Sequence, residues 1–179
     1  MTEFPPIFHE EQRFRQPWLW AIMAVAVLPQ IFLFGYGMVQ QLVLGRPWGD
    51  RPMSDTALLL TGTATILLSL GLLALFLGMR LVTEVRGDGL RVRFFPFHLR
   101  EIVFRPGEIR AWEAEEYRPL LDYGGWGIRY GRGGKAYNVS GNRGVRLEFT
   151  DGQRLLIGSQ RADELASAIR ELRRGTPQA

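Results

Sequence analysis

Histidine and clustered carboxylates are the first residues to weigh, since imidazole and paired carboxyls are the usual proton carriers and metal ligands near neutral pH. His9 and His98 lie in separate segments, with no second histidine or carboxylate at metal-ligand spacing, so neither a zinc site nor a histidine-based triad is expected. Glu113, Glu115 and Glu116 form a small acidic cluster that reads as a solvated strand face rather than an acid–base pair. Asn138-Val139-Ser140 matches the glycosylation pattern, which a cytoplasmic domain would never present to that machinery. There is no cysteine, hence no disulfide or thiol chemistry. The expectation is a protein with no metal, no cofactor and no catalytic function.

A denser signal is the run of eight glycines between Gly124 and Gly144. Phosphate-cradling loops use glycine so that backbone N–H groups can approach an anion, but they sit between a strand and a helix. This run lies between strands, with no Gly-Lys-Ser or Gly-Lys-Thr after it, so turns, bulges and hairpin tips are the better reading. Interleaved with the glycines are Tyr117, Tyr123, Trp126 and Tyr137, the arginines Arg118 and Arg129, and the hydrogen-bonding Asn138, Ser140 and Asn142. Aromatic rings and arginine on shaped loops suit a recognition surface. These nine residues are the candidate ligand- or partner-binding set. The alternative is that the rings fill a core. For Trp126 the core is the favoured reading, while the other rings are evenly balanced.

The elements that must position these residues begin with two apolar runs. Residues 18–39 and 57–79 contain no charged side chain, and each is long enough to cross a bilayer core of about 30 Å. They are expected to form a transmembrane hairpin joined by a loop of about 17 residues (positions 40–56). The charged leader, with Glu3, Glu10, Glu11, Arg13 and Arg15, argues against a cleaved signal peptide. Trp18 and Trp20 at one end, and Tyr36 and Trp48 near the other, suit the headgroup level. Pro29 is expected to kink the first span. Thr61, Gly62, Thr65 and Ser69 offer a small-residue face for the first span, which carries Gly35 and Gly37. Arginines outside the loop (Arg13, Arg15, Arg80, Arg86, Arg91, Arg93) outnumber Arg46 and Arg51 within it, which predicts both termini in the cytoplasm.

From Arg80 the period changes to two. Eight short strands are expected, around residues 81–85, 90–94, 102–104, 109–113, 126–130, 136–139, 145–149 and 155–157, with Asp88-Gly89 and Asp151-Gly152 as hairpin turns. A final helix follows. Ser159 is its expected N-cap, Leu165, Ile169 and Leu172 its apolar stripe, and Gly175 and Pro177 its end. The implied organisation is an N-terminal segment 1–16, a hairpin 17–79, an α+β domain 80–174 and a tail 175–179. A bent antiparallel sheet or partly open barrel of about seven strands, capped by a C-terminal helix, is the pleckstrin-homology (PH) architecture. Residues 80–179 hold 18 Lys and Arg against 13 Asp and Glu, a balance that favours anionic lipid beside a membrane. The charges are spread rather than clustered, so nucleic-acid binding is not expected.

Tyr117-Arg118-Pro119-Leu120, Tyr123-Gly124-Gly125-Trp126-Gly127-Ile128-Arg129, Tyr137-Asn138-Val139-Ser140-Gly141-Asn142 and Leu156-Ile157-Gly158-Ser159 resemble the motifs of an uncharacterised family of small prokaryotic membrane proteins. Such proteins have two N-terminal spans and a bacterial PH-like domain. The resemblance implies that architecture over nearly the whole chain, and no activity. Two functions remain open. One is a membrane-tethered module that holds a protein segment or an anionic headgroup. The other is a structural accessory subunit of a larger membrane complex.

Overall fold

In the computed structural model residues 5–175 are described; Glu3 of the leader and Pro177 of the tail lie outside them. The chain divides into two compact units, one of residues 15–78 and one made of the chain up to Phe14 together with everything from Met79.

The first unit is a helical hairpin. Helix α1 (Pro17–Met38) begins on a proline, whose missing N–H is no loss in a first turn, and runs into a π-helical turn at Val39–Val43. The helical run thus extends four residues past the end of the apolar pattern at Val39. Pro29 lies within α1. Helix α2 (Asp55–Gly78) packs on it through Leu58, Gly62 and Ser69, which are buried. A Cβ on Gly62 would meet Met38 Sδ at 2.8 Å, so the small residue sets the approach, as expected. Thr61 instead turns outward and donates to Ala57 O at 2.7 Å. On α1 it is Gly37 that is required, because the Trp48 ring covers it, while Gly35 faces open space. Gln41 closes the loop: its amide donates to Met53 O and to Asp55 Oδ1. Both helices are long and apolar enough to cross a membrane.

Among the described residues the second unit holds nine strands in two sheets. The first sheet has the order β1-β2-β3-β4, with β1 (Phe8–Arg13), β2 (Arg80–Arg86), β3 (Gly89–Phe95) and β4 (Ile102–Phe104), all antiparallel. The second has the order β5-β8-β9-β7-β6, with β5 (Ile109–Glu116), β6 (Gly127–Gly131), β7 (Gly134–Asn138), β8 (Arg143–Phe149) and β9 (Arg154–Gly158). All eight expected strands form. The single bent sheet does not. A 3-10 turn at Pro106–Glu108 separates β4 from β5, and because Pro106 has no N–H to donate, the ladder ends there and a new sheet begins. Nor is the second sheet wholly antiparallel, since β7 pairs parallel with β9. No barrel closes among the described residues.

Three further points differ from the sequence reading. The leading segment is not a separate part: β1 is the edge of the first sheet, in register with β2 from Phe8↔Val85 to Arg13↔Arg80. The first hairpin turns at Gly87-Asp88 rather than Asp88-Gly89, because Gly89 is already paired with Arg86. Gly89 is required for another reason: a Cβ there would press on Phe104 O at 2.7 Å.

The main core lies between the sheets and the last helix, α4 (Ala162–Gly175). Leu81, Val85, Val92 and Phe94 of the first sheet, Val145, Leu147 and Ile157 of the second, and Leu165, Ile169 and Leu172 of α4 are all buried. Trp112 anchors the helix by donating from Nε1 to Ala166 O at 3.0 Å. Ser159 precedes the helix by three residues. Its hydroxyl accepts from Arg161 N at 3.0 Å, so it shapes the entering turn rather than capping the helix itself.

Candidate functional site

The segment after β5 folds as a flap across the face of the second sheet opposite the main core. Pro119 opens a one-turn helix, α3 (Pro119–Tyr123). Gly124 ends it at φ +70, a left-handed position that glycine adopts without strain, with Gly124 N donating to Leu120 O and Gly125 N to Pro119 O, so that two of the helix's carbonyls are satisfied. Arg118 N donates to Asp122 Oδ2 at 2.7 Å and closes the first turn. The flap seats on β6 at Gly131, where any side chain would overlap the carbonyl of Asp122. Underneath, Tyr123 meets Tyr117 edge-on at 5.9 Å, and both pack with Ala136 and Leu156 in a small satellite core.

Polar groups surround this cluster. Arg146 donates to both oxygens of Glu115, at 2.8 and 2.5 Å, a bidentate pair that raises the guanidinium's affinity for its proton. Burial raises the Tyr123 phenol above its ordinary value, with Arg146 opposing. Burial pushes Tyr117 up to about 12; the Asn138 side chain opposes this. That amide lies near the phenol without the geometry of a full hydrogen bond, and both Tyr117 OH and Asn138 Nδ2 are buried without a bonded partner.

The sequence strings around Tyr117, Trp126, Asn138 and Gly158 converge here. Tyr117 N donates to Asn142 O, Trp126 Nε1 to Gly141 O at 3.1 Å, and Gly127 N to Asn138 Oδ1 at 2.9 Å. A Cβ on Gly158 would collide with Asn138 Cβ at 2.8 Å and approach Tyr117 OH at 3.1 Å. Gln160 Nε2 donates to Ser140 O and Oγ. From the far end of the chain, β1 reaches the same joint. Gln12 Nε2 donates to Gly158 O at 2.7 Å, while Glu10 accepts from Ser159 Oγ at 2.5 Å and from Gln160 N at 2.9 Å. Glu10, Gln12 and Ser159 are all buried.

The nine candidate residues therefore do not form one surface. Tyr117, Tyr123, Tyr137 and Asn138 are buried, Trp126 and Ser140 half-buried, and Arg118, Arg129 and Asn142 exposed. Tyr137 points to the opposite side of its sheet from Ala136, pairing in register with Ile157. There its ring meets His98 edge-on at 5.1 Å and carries Lys135 Nζ at 4.8 Å. Glu10 and Gln12 escape a sequence reading because the inward face of β1 is Phe8, Glu10 and Gln12. It alternates, but with polar residues where apolar ones mark a strand.

Ser159 Oγ donates to Glu10 and also accepts from Arg161 N, and both side chains are buried. Among the described residues no group of three or more His, Cys, Asp and Glu could hold a metal ion. No family model, curated protein or solved structure matches the chain.

Proposed function

We propose that the chain is a membrane-anchored binding module. Its two helices span the cytoplasmic membrane as a hairpin, and its PH-like sheet domain, with both termini, stands on the cytoplasmic side and engages an anionic lipid headgroup or a protein segment. The observation that carries this reading is the outward surface of the helices. Val25 and Leu68 are each 76% exposed, and Phe32 and Leu67 are close behind. Exposing one such side chain to water forfeits about 1.5–3 kcal/mol, and a run of them around two helices suits hydrocarbon as its solvent. A common side for both termini draws support from the β1–β2 pairing, because the strands before and after the hairpin share one sheet.

Reporter fusions at Pro52 and at the C-terminus test the topology. A signal from the C-terminal fusion on the outer side refutes the orientation, and release of the protein by an alkaline wash refutes the anchor. Binding is tested by purification from native membrane in mild detergent, comparing the parent with the Arg118→Ala/Arg129→Ala variant. Arg118 at the start of the flap and Arg129 on β6, whose Nε is held by Trp126 O, are the exposed guanidiniums of the candidate set. Unchanged capture of partner and lipid refutes their role.

The burial of Tyr117, Tyr123, Tyr137 and Asn138 favours a second reading, in which the domain is a structural accessory of a larger membrane complex and the flap is scaffolding. On that reading, substitutions on the outward faces of the spans scatter the complex and flap substitutions leave it whole.

A further inference from the structure

The register of the first sheet sets Arg13, Arg80 and Phe95 side by side across β1, β2 and β3. Only Met79 separates β2 from α2, and only residues 14–16 separate β1 from α1. This row therefore marks the end of the sheet at which the chain passes into each apolar helix. The loop after Phe95 starts from the same end. His98 holds it in place: its N–H donates to Phe94 O at 2.8 Å, its Nδ1 accepts from Phe94 N at 3.2 Å, and its ring meets Tyr137. The residues on either side of His98 are turned out, Phe97 56% and Leu99 78% exposed. One exposed leucine is ordinary surface. Two large apolar side chains flanking an anchored residue, beside basic groups, make an interfacial device. Arg80 and Arg93 lie over the Phe95 ring, and Arg100 follows Leu99. Glu11 offsets part of this charge by pairing with Arg13 and Arg80, and Glu101 pairs with Arg91.

We propose that the loop of residues 96–100 is a second membrane contact, in which Phe97 and Leu99 seat in the headgroup region of an anionic leaflet while Arg80, Arg93 and Arg100 face its phosphates. The partner is the lipid surface that the helices enter, so the proposal rests on α1 and α2 spanning the bilayer. The contact would hold the sheet domain at a set height and orientation beyond what the two short connections fix.

The cysteine-free chain makes the test direct, since one introduced cysteine carries one spin label. Leu99→Cys, Leu68→Cys on α2 and Asp151→Cys on an exposed turn are labelled in the full chain, and each is placed in nanodiscs of anionic or of purely zwitterionic lipid. Collision with oxygen, which concentrates in lipid, is compared with collision with a water-soluble nickel chelate. The expected result is an oxygen-dominated label at Leu68, a chelate-dominated label at Asp151, and an oxygen-dominated label at Leu99 in anionic discs that becomes several-fold more open to chelate in zwitterionic ones. If Leu99 matches Asp151 while Leu68 remains in lipid, the loop contact is overturned and the anchor stands. A Leu99 label shielded from both reagents overturns it in favour of a second copy of the chain. Equal values in the two lipids overturn the role of the arginines. A chelate-accessible Leu68 overturns the anchor, and the loop contact with it.

Discussion

Removing the Glu10 carboxylate should unlatch the N-terminal strand. Glu10 accepts a 2.5 Å bond from Ser159 Oγ and a 2.9 Å bond from Gln160 N, and these tie β1 of one sheet to the turn that follows β9 of the other. Hydrogen bonds to a charged group contribute about 1.5–3 kcal/mol each. Ser159 is 1% exposed, so in Glu10→Ala its hydroxyl has no water to turn to and the full loss applies. Gln160 is exposed, and water recovers much of its share. The net expectation is a loss of about 2–4 kcal/mol, a large part of the roughly 5–15 kcal/mol that holds a domain together. With a urea slope of about 1–3 kcal/mol per molar, the unfolding midpoint should fall by roughly 1–2 M. The assay is urea unfolding of the full chain in mild detergent, followed by the sheet band of circular dichroism. Amide exchange read over β1 and β2 shows whether the strand opens first. Glu10→Gln keeps one acceptor oxygen in place and should lose about half as much. If Glu10→Ala unfolds within about 0.5 kcal/mol of the parent, the ordinary scatter of surface substitutions, the latch contributes nothing and β1 is held by its ladder alone.

Four other outcomes rest on the same fold. Leu165→Asp places a charge at a position with no exposure and should cost at least about 3 kcal/mol in the same urea assay; an unchanged midpoint would mean that α4 does not close the core. Tyr123→Ala should destabilise the domain by about 3–5 kcal/mol, as loss of a buried ring does, whereas Arg129→Ala should leave stability within about 0.5 kcal/mol; the opposite order would refute the division between interior and surface. Tyr117 ionises near 10 when unfolded and at about 12 when folded, so stability should hold below pH 10 and decline as pH rises through that window, and Tyr117→Phe should flatten the decline. Burial, aided by Lys135, lowers the His98 pKa from 6.5, so the unfolded chain takes up its proton first and stability should fall as pH drops below 6.5; an equal acid profile in His98→Gln would refute this.

Much of the fold is local and therefore legible in the amino-acid order. Each apolar span declares itself without reference to any partner. Strands such as Val145–Phe149 announce themselves by alternation, and α4 by its stripe of Leu165, Ile169 and Leu172 with acidic residues first and basic residues last. The candidate site was legible only as a composition. Tyrosine, arginine and glycine in one segment are what a recognition loop uses, but they are also what a small satellite core under a flap uses. The difference is which way each ring points. That is decided by the register of β7 against β9, which sends Ala136 to one face and Tyr137 to the other. The N-terminal strand lay furthest beyond reach. Its inward face is polar, and its pairing partner stands some seventy residues downstream on the other side of two apolar helices, with Glu10 bonding to Ser159 across 149 positions. Hydrophobic periodicity sees only neighbours along the chain. A buried carboxylate that finds its donors on a distant turn belongs to the tertiary structure, because only the folded chain brings those donors within bonding distance.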